Sequence, residues 1–167
     1  MAAMSYELQA LIGTRELLTV AAAEVPAARV VPLAQGLAMI PVTSAVLAAL
    51  QGDGSVRKPR GGAGFGWHSD GFELRLAAWS KAGPIACVEA EYFGGSGTQR
   101  AAVWADGAVT LGPLTIGEFE PAPADGTPIS HVLRRIGART EEGRADEFES
   151  VGLGRHRSTA GWAESAG

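Results

Sequence analysis

VEAEYFGGSGTQRAAVWADGAVTL, residues 88–111, reads as two consecutive β-hairpins and decides the fold class of the chain. Gly94-Gly95-Ser96-Gly97 closes the first hairpin and Asp106-Gly107 the second. With a four-residue first loop, Tyr92 faces Gln99, Glu91 faces Arg100, Ala90 faces Ala101 and Val88 faces Val103. That register sets opposite charges across from each other and gathers apolar residues on one face. Asp106-Gly107 suits a two-residue type I′ turn, in which both positions take positive φ. The second hairpin then places Trp104 beside Val109 and Ala102 beside Leu111. Its other face is apolar too, so part of the sheet is expected to be covered on both sides.

Outward from the hairpins, Tyr6, Leu8, Ala10 and Ile12 alternate with Glu7 and Gln9, the period of a half-buried strand. At Thr14 the period becomes helical. Leu17, Leu18, Ala21, Ala22 and Val25 form one stripe, Thr14 is placed to cap it, and Pro26 stops it. Arg29 to Val42 reads as two short strands around Gln35-Gly36, and Pro32 and Pro41, which donate no ladder bond, suit edges or bulges. Thr43 or Ser44 caps a short helix carrying Val46, Leu47 and Leu50. Gly52 to Asp70 is glycine-rich and aperiodic, with Arg57, Lys58 and Arg60 clustered, and is expected to be a long mobile loop. Phe72, Leu76 and Trp79 restore helical spacing before Gly83-Pro84 ends it. Gly112 to Asp125 is proline-rich and expected to be irregular. Thr127-Pro128 is a cap and first-turn pair for a helix with Ile129, Val132, Leu133 and Ile136 inward.

These elements define a single α+β domain: a mainly antiparallel sheet with helices at about 14–25, 44–51, 71–81 and 128–136 packed on at least one face. The early strand–helix–strand unit leaves a parallel pair open. The domain is assigned to residues 1–140 with the mobile loop at 52–70. Residues 141–167 form a C-terminal segment, acidic from Glu141 to Glu149 and basic at Arg155-His156-Arg157. Phe148, Val151, Leu153 and Trp162 are expected to dock part of it.

A chain of 167 residues suits one domain, and 46% apolar with 19% charged residues is ordinary for a globular one. A net charge of −4 weighs against specific nucleic-acid or anionic-membrane binding. The single cysteine, Cys87, excludes an internal disulfide, fits a reducing cytosol, and reads as a buried, inert thiol. MAAMSYELQ lacks a secretory pattern, and Leu37 to Leu50 is too short and too interrupted to span a bilayer. A soluble cytoplasmic protein without a membrane partner is expected.

No motif marks a reaction centre. Gly94 to Thr98 has neither the lysine nor the following helix of a phosphate loop, and the glycine runs at 61–66 and 152–154 miss the dinucleotide spacing or its context. Gly95-Ser96-Gly97 is not a nucleophile elbow, and no metal-binding histidine or cysteine spacing occurs. No cofactor and no metal are expected. Glu89 and Glu91 share a strand face, which reads as a solvated charged surface rather than a metal or proton-sharing pair.

Four blocks, YELQALIG at 6–13, RVVPLAQGLAMIPVT at 29–43, VEAEYFGGSGTQRAAVW at 88–104 and VGLGRHRSTAGW at 151–162, resemble a family of small uncharacterised actinobacterial proteins of the Streptomyces type. The resemblance implies no catalytic residues. In size and charge that family is similar to small acidic immunity proteins that neutralise toxins.

The expected function is therefore non-enzymatic protein binding, as an immunity protein that blocks a bacterial toxin sterically and electrostatically. Tyr92, Phe93, Gly94, Gly95, Ser96, Gly97, Thr98 and Gln99 form the expected contact surface, because aromatic residues anchor interfaces. Acidic residues would steer a basic partner toward it. An alternative is an enzyme or binding domain for a phosphate or carboxylate ligand, held by Arg100, Arg155, His156 and Arg157. A further alternative is a homo-oligomer or assembly subunit joined through the double hairpin.

Overall fold

Alternating apolar residues draw Ser5–Thr14 into a long strand, β1, and Thr14 then turns the chain by accepting a hydrogen bond from the Leu17 amide at the start of helix α1, Arg15–Ala23. The computed structural model describes residues 5–51, 70–93, 96–118, 120, 121 and 123–166. After α1 come β2 (Val31–Pro32), β3 (Leu37–Pro41), α2 (Ser44–Gln51) and α3 (Asp70–Trp79). Strands β4 (Ile85–Phe93), β5 (Ser96–Ala105) and β6 (Ala108–Ile116) follow, then helices α4 (Pro128–Arg135), α5 (Glu147–Val151) and α6 (Thr159–Ser165). All but the last residue of the expected loop at 52–70 lies outside the described residues.

The strands form one antiparallel sheet of order β2-β3-β1-β4-β5-β6. The parallel pair left open by the sequence does not form. The chain first runs along the edge as β2 and reverses through Gln35 and Gly36, both at positive φ, so β3 returns antiparallel to β1. Pro32 sits on that edge strand, where its missing N–H costs no ladder bond.

Helices cover both faces. Leu11, Ile40, Cys87, Ala102 and Trp104 turn toward α1, α2 and α3, where Leu18, Val46, Phe72 and Leu76 complete one core. Leu8, Ala10, Ile12, Met39, Val88, Ala101 and Val103 turn the other way, against Ile129, Val132 and Leu133 of α4, Val151 of α5, Trp162 of α6, and Leu153 between those last two helices. The result is three layers around an antiparallel sheet. Burial pushes the Cys87 thiol far up, with the Glu73 charge adding to it, so the sulfur stays protonated within the first core.

The hairpin registers differ from the sequence reading. In the first hairpin Glu89, not Glu91, lies opposite Arg100, while Glu91 faces Thr98 and Tyr92 faces Gly97. Only residues 94 and 95 separate the last pair, Phe93 and Ser96, so the connection is two residues long rather than four. Gly97 permits this closer approach, since a Cβ there would come within 2.7 Å of the Tyr92 Cα. A two-residue shift leaves every side chain on its face, so the apolar pattern is satisfied by both registers. In the second hairpin Trp104 does face Val109, but irregularities bring Leu111 opposite Val103 rather than Ala102. The strand also continues through the proline-rich stretch to Ile116. Gly112, at φ +93°, passes where a Cβ would lie 2.7 Å from the Ala101 carbonyl oxygen, and pairing resumes with Leu114 opposite Ala101.

The C-terminal segment completes the sheet. Pairing of β3 with β1 ends at Pro41 opposite Ala10, leaving the first half of β1 without a strand on that side. The Arg157 carbonyl accepts from the Glu7 amide at 2.9 Å and the Thr159 hydroxyl from the Gln9 amide at 3.0 Å, so residues 157–159 continue the line of β3.

Candidate partner-binding surface at the first hairpin

Strand alternation splits the end of the β4–β5 hairpin into two surfaces. Glu89, Glu91 and Phe93 follow Cys87 onto the face of α1–α3, and Thr98 and Arg100 share the parity of Ala102. The three helices pack against the far half of that face. At the hairpin end Glu7, Glu91, Phe93 and Thr98 are exposed, and Phe93 is 69% accessible despite being a large aromatic. Glu7 lies directly opposite Glu91 across β1 and β4, and Gln9 opposite Glu89. The aromatic ring therefore stands at the end of a ladder of carboxylates, with Arg100 set against Glu89 in register.

Tyr92 and Gln99 point to the opposite face. The Gln99 amide is 7% exposed and bonded at both ends: its Nε2 donates to the Tyr92 hydroxyl at 2.9 Å, and its Oε1 accepts from the Ile129 amide at 3.0 Å in the first turn of α4. That bridge fixes the Tyr92 ring beside Tyr6 and Phe148. These three rings, with Gln99, Thr127 and Asp146, line a cleft of about 280 Å³. Tyr6 donates to the Leu153 carbonyl at 2.9 Å and packs tilted against Phe148, with ring centres 5.6 Å apart. Burial raises its phenol well above the ordinary range, which keeps the proton on the donor.

Of the expected contact residues, Gly94 and Gly95 lie outside the described residues, and Ser96 is described by its backbone alone as the first residue of β5. Phe93 and Thr98 fall on the acidic surface, Tyr92, Gly97 and Gln99 on the aromatic one. The expected anion-binding residues are not brought together. Arg100 lies on β5, whereas Arg155 donates to the Pro32 carbonyl on β2, four strand spacings or about 19 Å across the sheet. His156 packs edge-on against Trp162 at 4.7 Å, and the Arg157 carbonyl is tied to β1. Among the described residues no three His, Cys, Asp or Glu side chains converge as metal ligands, and no helix is long and apolar enough to cross a membrane.

Glu7, Tyr6 and Phe148 join these surfaces without having been expected there. Tyr6 and Glu7 are legible in the sequence as opposite faces of one strand, but their neighbours on β4 depend on a pairing across 80 or more residues of chain. Comparison with protein-family models, curated proteins and solved structures returns no match for this chain.

Proposed function

We propose that this protein binds a protein partner through the end of its β4–β5 hairpin, as an immunity protein that blocks a basic bacterial toxin. The observation carrying this reading is Phe93, 69% exposed at the end of a strand face lined by Glu7 and Glu91. Leaving a phenyl ring in water forfeits roughly 1.5–3 kcal/mol of burial, a cost that contact with a partner would recover. Flanking carboxylates would raise the encounter rate with a basic surface and set its orientation. The hairpin is well suited to hold such an anchor still, because its opposite face is clamped by the Tyr92–Gln99–Ile129 hydrogen bonds. Blockade needs no chemistry from the protein itself.

A photo-crosslinking amino acid placed at position 93, and separately at the exposed Val20 on α1 as a control, tests this in the native host. The expected result is a single protein captured at 93 and not at 20, whose isolated expression arrests growth unless this chain is co-expressed. Capture without toxicity would retain partner binding and remove the immunity role. Equal capture at both positions would remove the hairpin as the contact surface.

A further inference from the structure

A large cleft lies on the β2 side of the sheet, between the β2–β3 connection and the C-terminal segment. It is an open cleft of about 630 Å³, within the size range of small-molecule sites. Leu33 and Phe148 supply apolar walls, and Arg155 lines the cleft with Gly152 and Gly154. The Ala34 amide donates to the Val151 carbonyl at 3.1 Å, joining the two sides.

Arg155 is held in place before any ligand arrives. Its Nη2 donates to the Pro32 carbonyl at 2.8 Å, its Nε to the Gly152 carbonyl at 3.3 Å, and its guanidinium carbon sits 5.2 Å from the centre of the Trp162 ring. Those contacts use neutral acceptors and one edge of a five-donor group, leaving Nη1 and the second Nη2 hydrogen. Among the described residues no carboxylate pairs with it. The two acids in the cleft have donors of their own. Glu149 accepts from the Ala145 amide at 2.8 Å and lies 3.6 Å from Arg144, and Glu141 accepts from Gln35 at 3.2 Å.

We infer that this cleft binds a carboxylate with an apolar body, its headgroup on Arg155 and its chain against Leu33 and Phe148. A guanidinium held in this way, with no carboxylate partner among the described residues, recognises a planar carboxylate in a bidentate manner and loses little freedom in doing so. The apolar walls exclude a small hydrophilic anion as the best ligand. The headgroup belongs either to a free acid or to the C-terminus of a peptide. Phe148 is shared with the aromatic cleft behind the hairpin, but the exposed Phe93 and its flanking carboxylates are not, so failure of one reading leaves the other intact.

Calorimetry and amide-shift mapping with octanoate, octan-1-ol and acetate test the inference on the full chain. Octanoate is expected to bind at least tenfold more tightly than either octan-1-ol or acetate, and to move the amides of Ala34, Gly152 and Gly154. Arg155→Gln is expected to abolish the preference for octanoate over octan-1-ol, and Arg155→Lys to retain part of it. Equal affinity for the acid and the alcohol, or shifts confined to residues outside the cleft, overturns the proposal. Should Arg155→Gln fail to fold, the wild-type comparison and Arg155→Lys still decide. An N-acetylated leucine tripeptide with a free C-terminus that binds more tightly than octanoate, and loses that affinity on amidation, assigns the site to peptide termini. Weaker binding than octanoate assigns it to free acids.

Discussion

The carboxylate of Glu7 on β1 accepts two hydrogen bonds from Thr159, one from the hydroxyl at 2.6 Å and one from the amide at 3.1 Å, across 152 residues of chain. The same hydroxyl accepts from the Gln9 amide. One small side chain thus caps the open edge of β1 from the first residue of α6, a helix that Ser158 caps and whose Trp162 is fully buried.

Thr159→Val keeps the shape and removes both roles of the hydroxyl. The change is expected to cost about 1–3 kcal/mol, because the Gln9 amide is left unpaired in a half-buried place. Thermal unfolding reads the loss, roughly 2–4 °C per kcal/mol for a chain of this size. Trypsin is expected to cut faster after Arg155 and Arg157 in the variant. Unchanged cleavage there would mean that Trp162 and the remaining bonds to β1 and β2 hold the segment without the hydroxyl.

The register of the first hairpin is open to a cross-linking test in a Cys87→Ala background. Directly opposed residues have Cα atoms about 4.5–5.5 Å apart, within disulfide reach, whereas diagonal ones are about 7–8 Å apart. Glu91→Cys with Thr98→Cys is expected to oxidise readily, and Glu91→Cys with Arg100→Cys to stay reduced. The reverse outcome would restore the four-residue loop.

Glu147 is buried and paired with Arg134, whose Nε lies 3.0 Å from it. Burial opposes its ionisation, but hydrogen bonds from Arg134, its own backbone and Thr140, together with the Arg134 charge, hold the carboxyl below its ordinary value of 4.5. A lowered folded-state value adds stability that is complete above the unfolded value and is lost as pH falls through the folded one. Glu147→Gln is therefore expected to melt below wild type by a constant margin at pH 6–8, and that margin is expected to shrink below about pH 4.5. A margin independent of pH would assign the loss to packing alone.

Phe93→Ala separates binding from stability. With the ring mostly in water, unfolding free energy is expected to change by no more than about 0.5 kcal/mol, while partner affinity falls by about 2 kcal/mol or more, as at an interface anchor. Trp162→Ala shows the opposite pattern in stability, a loss of roughly 3–5 kcal/mol from a fully buried ring. Calorimetric titration against the captured partner, beside thermal melts of both variants, measures each term.

Much of the architecture is written in short-range signals. Thr14 and Thr127 each cap the helix that their neighbours announce, and alternation along β1 is enough to assign Leu8 and Leu11 to opposite cores. The faces of Glu89, Glu91 and Arg100 are also legible, since parity survives a register shift of two. Caps, turns and periodicity act over a few residues, so the local sequence determines them by itself. Tertiary structure alone decided which residues meet: Arg100 with Glu89, Glu7 with Thr159, Arg155 with Pro32. Two registers satisfied the same apolar pattern, and the one observed requires a residue without a Cβ at Gly97, beside Tyr92. The bond between Glu7 and Thr159 joins residues 152 apart and depends on the assembled sheet and the segment docked beside it, so no window of sequence contains the cause.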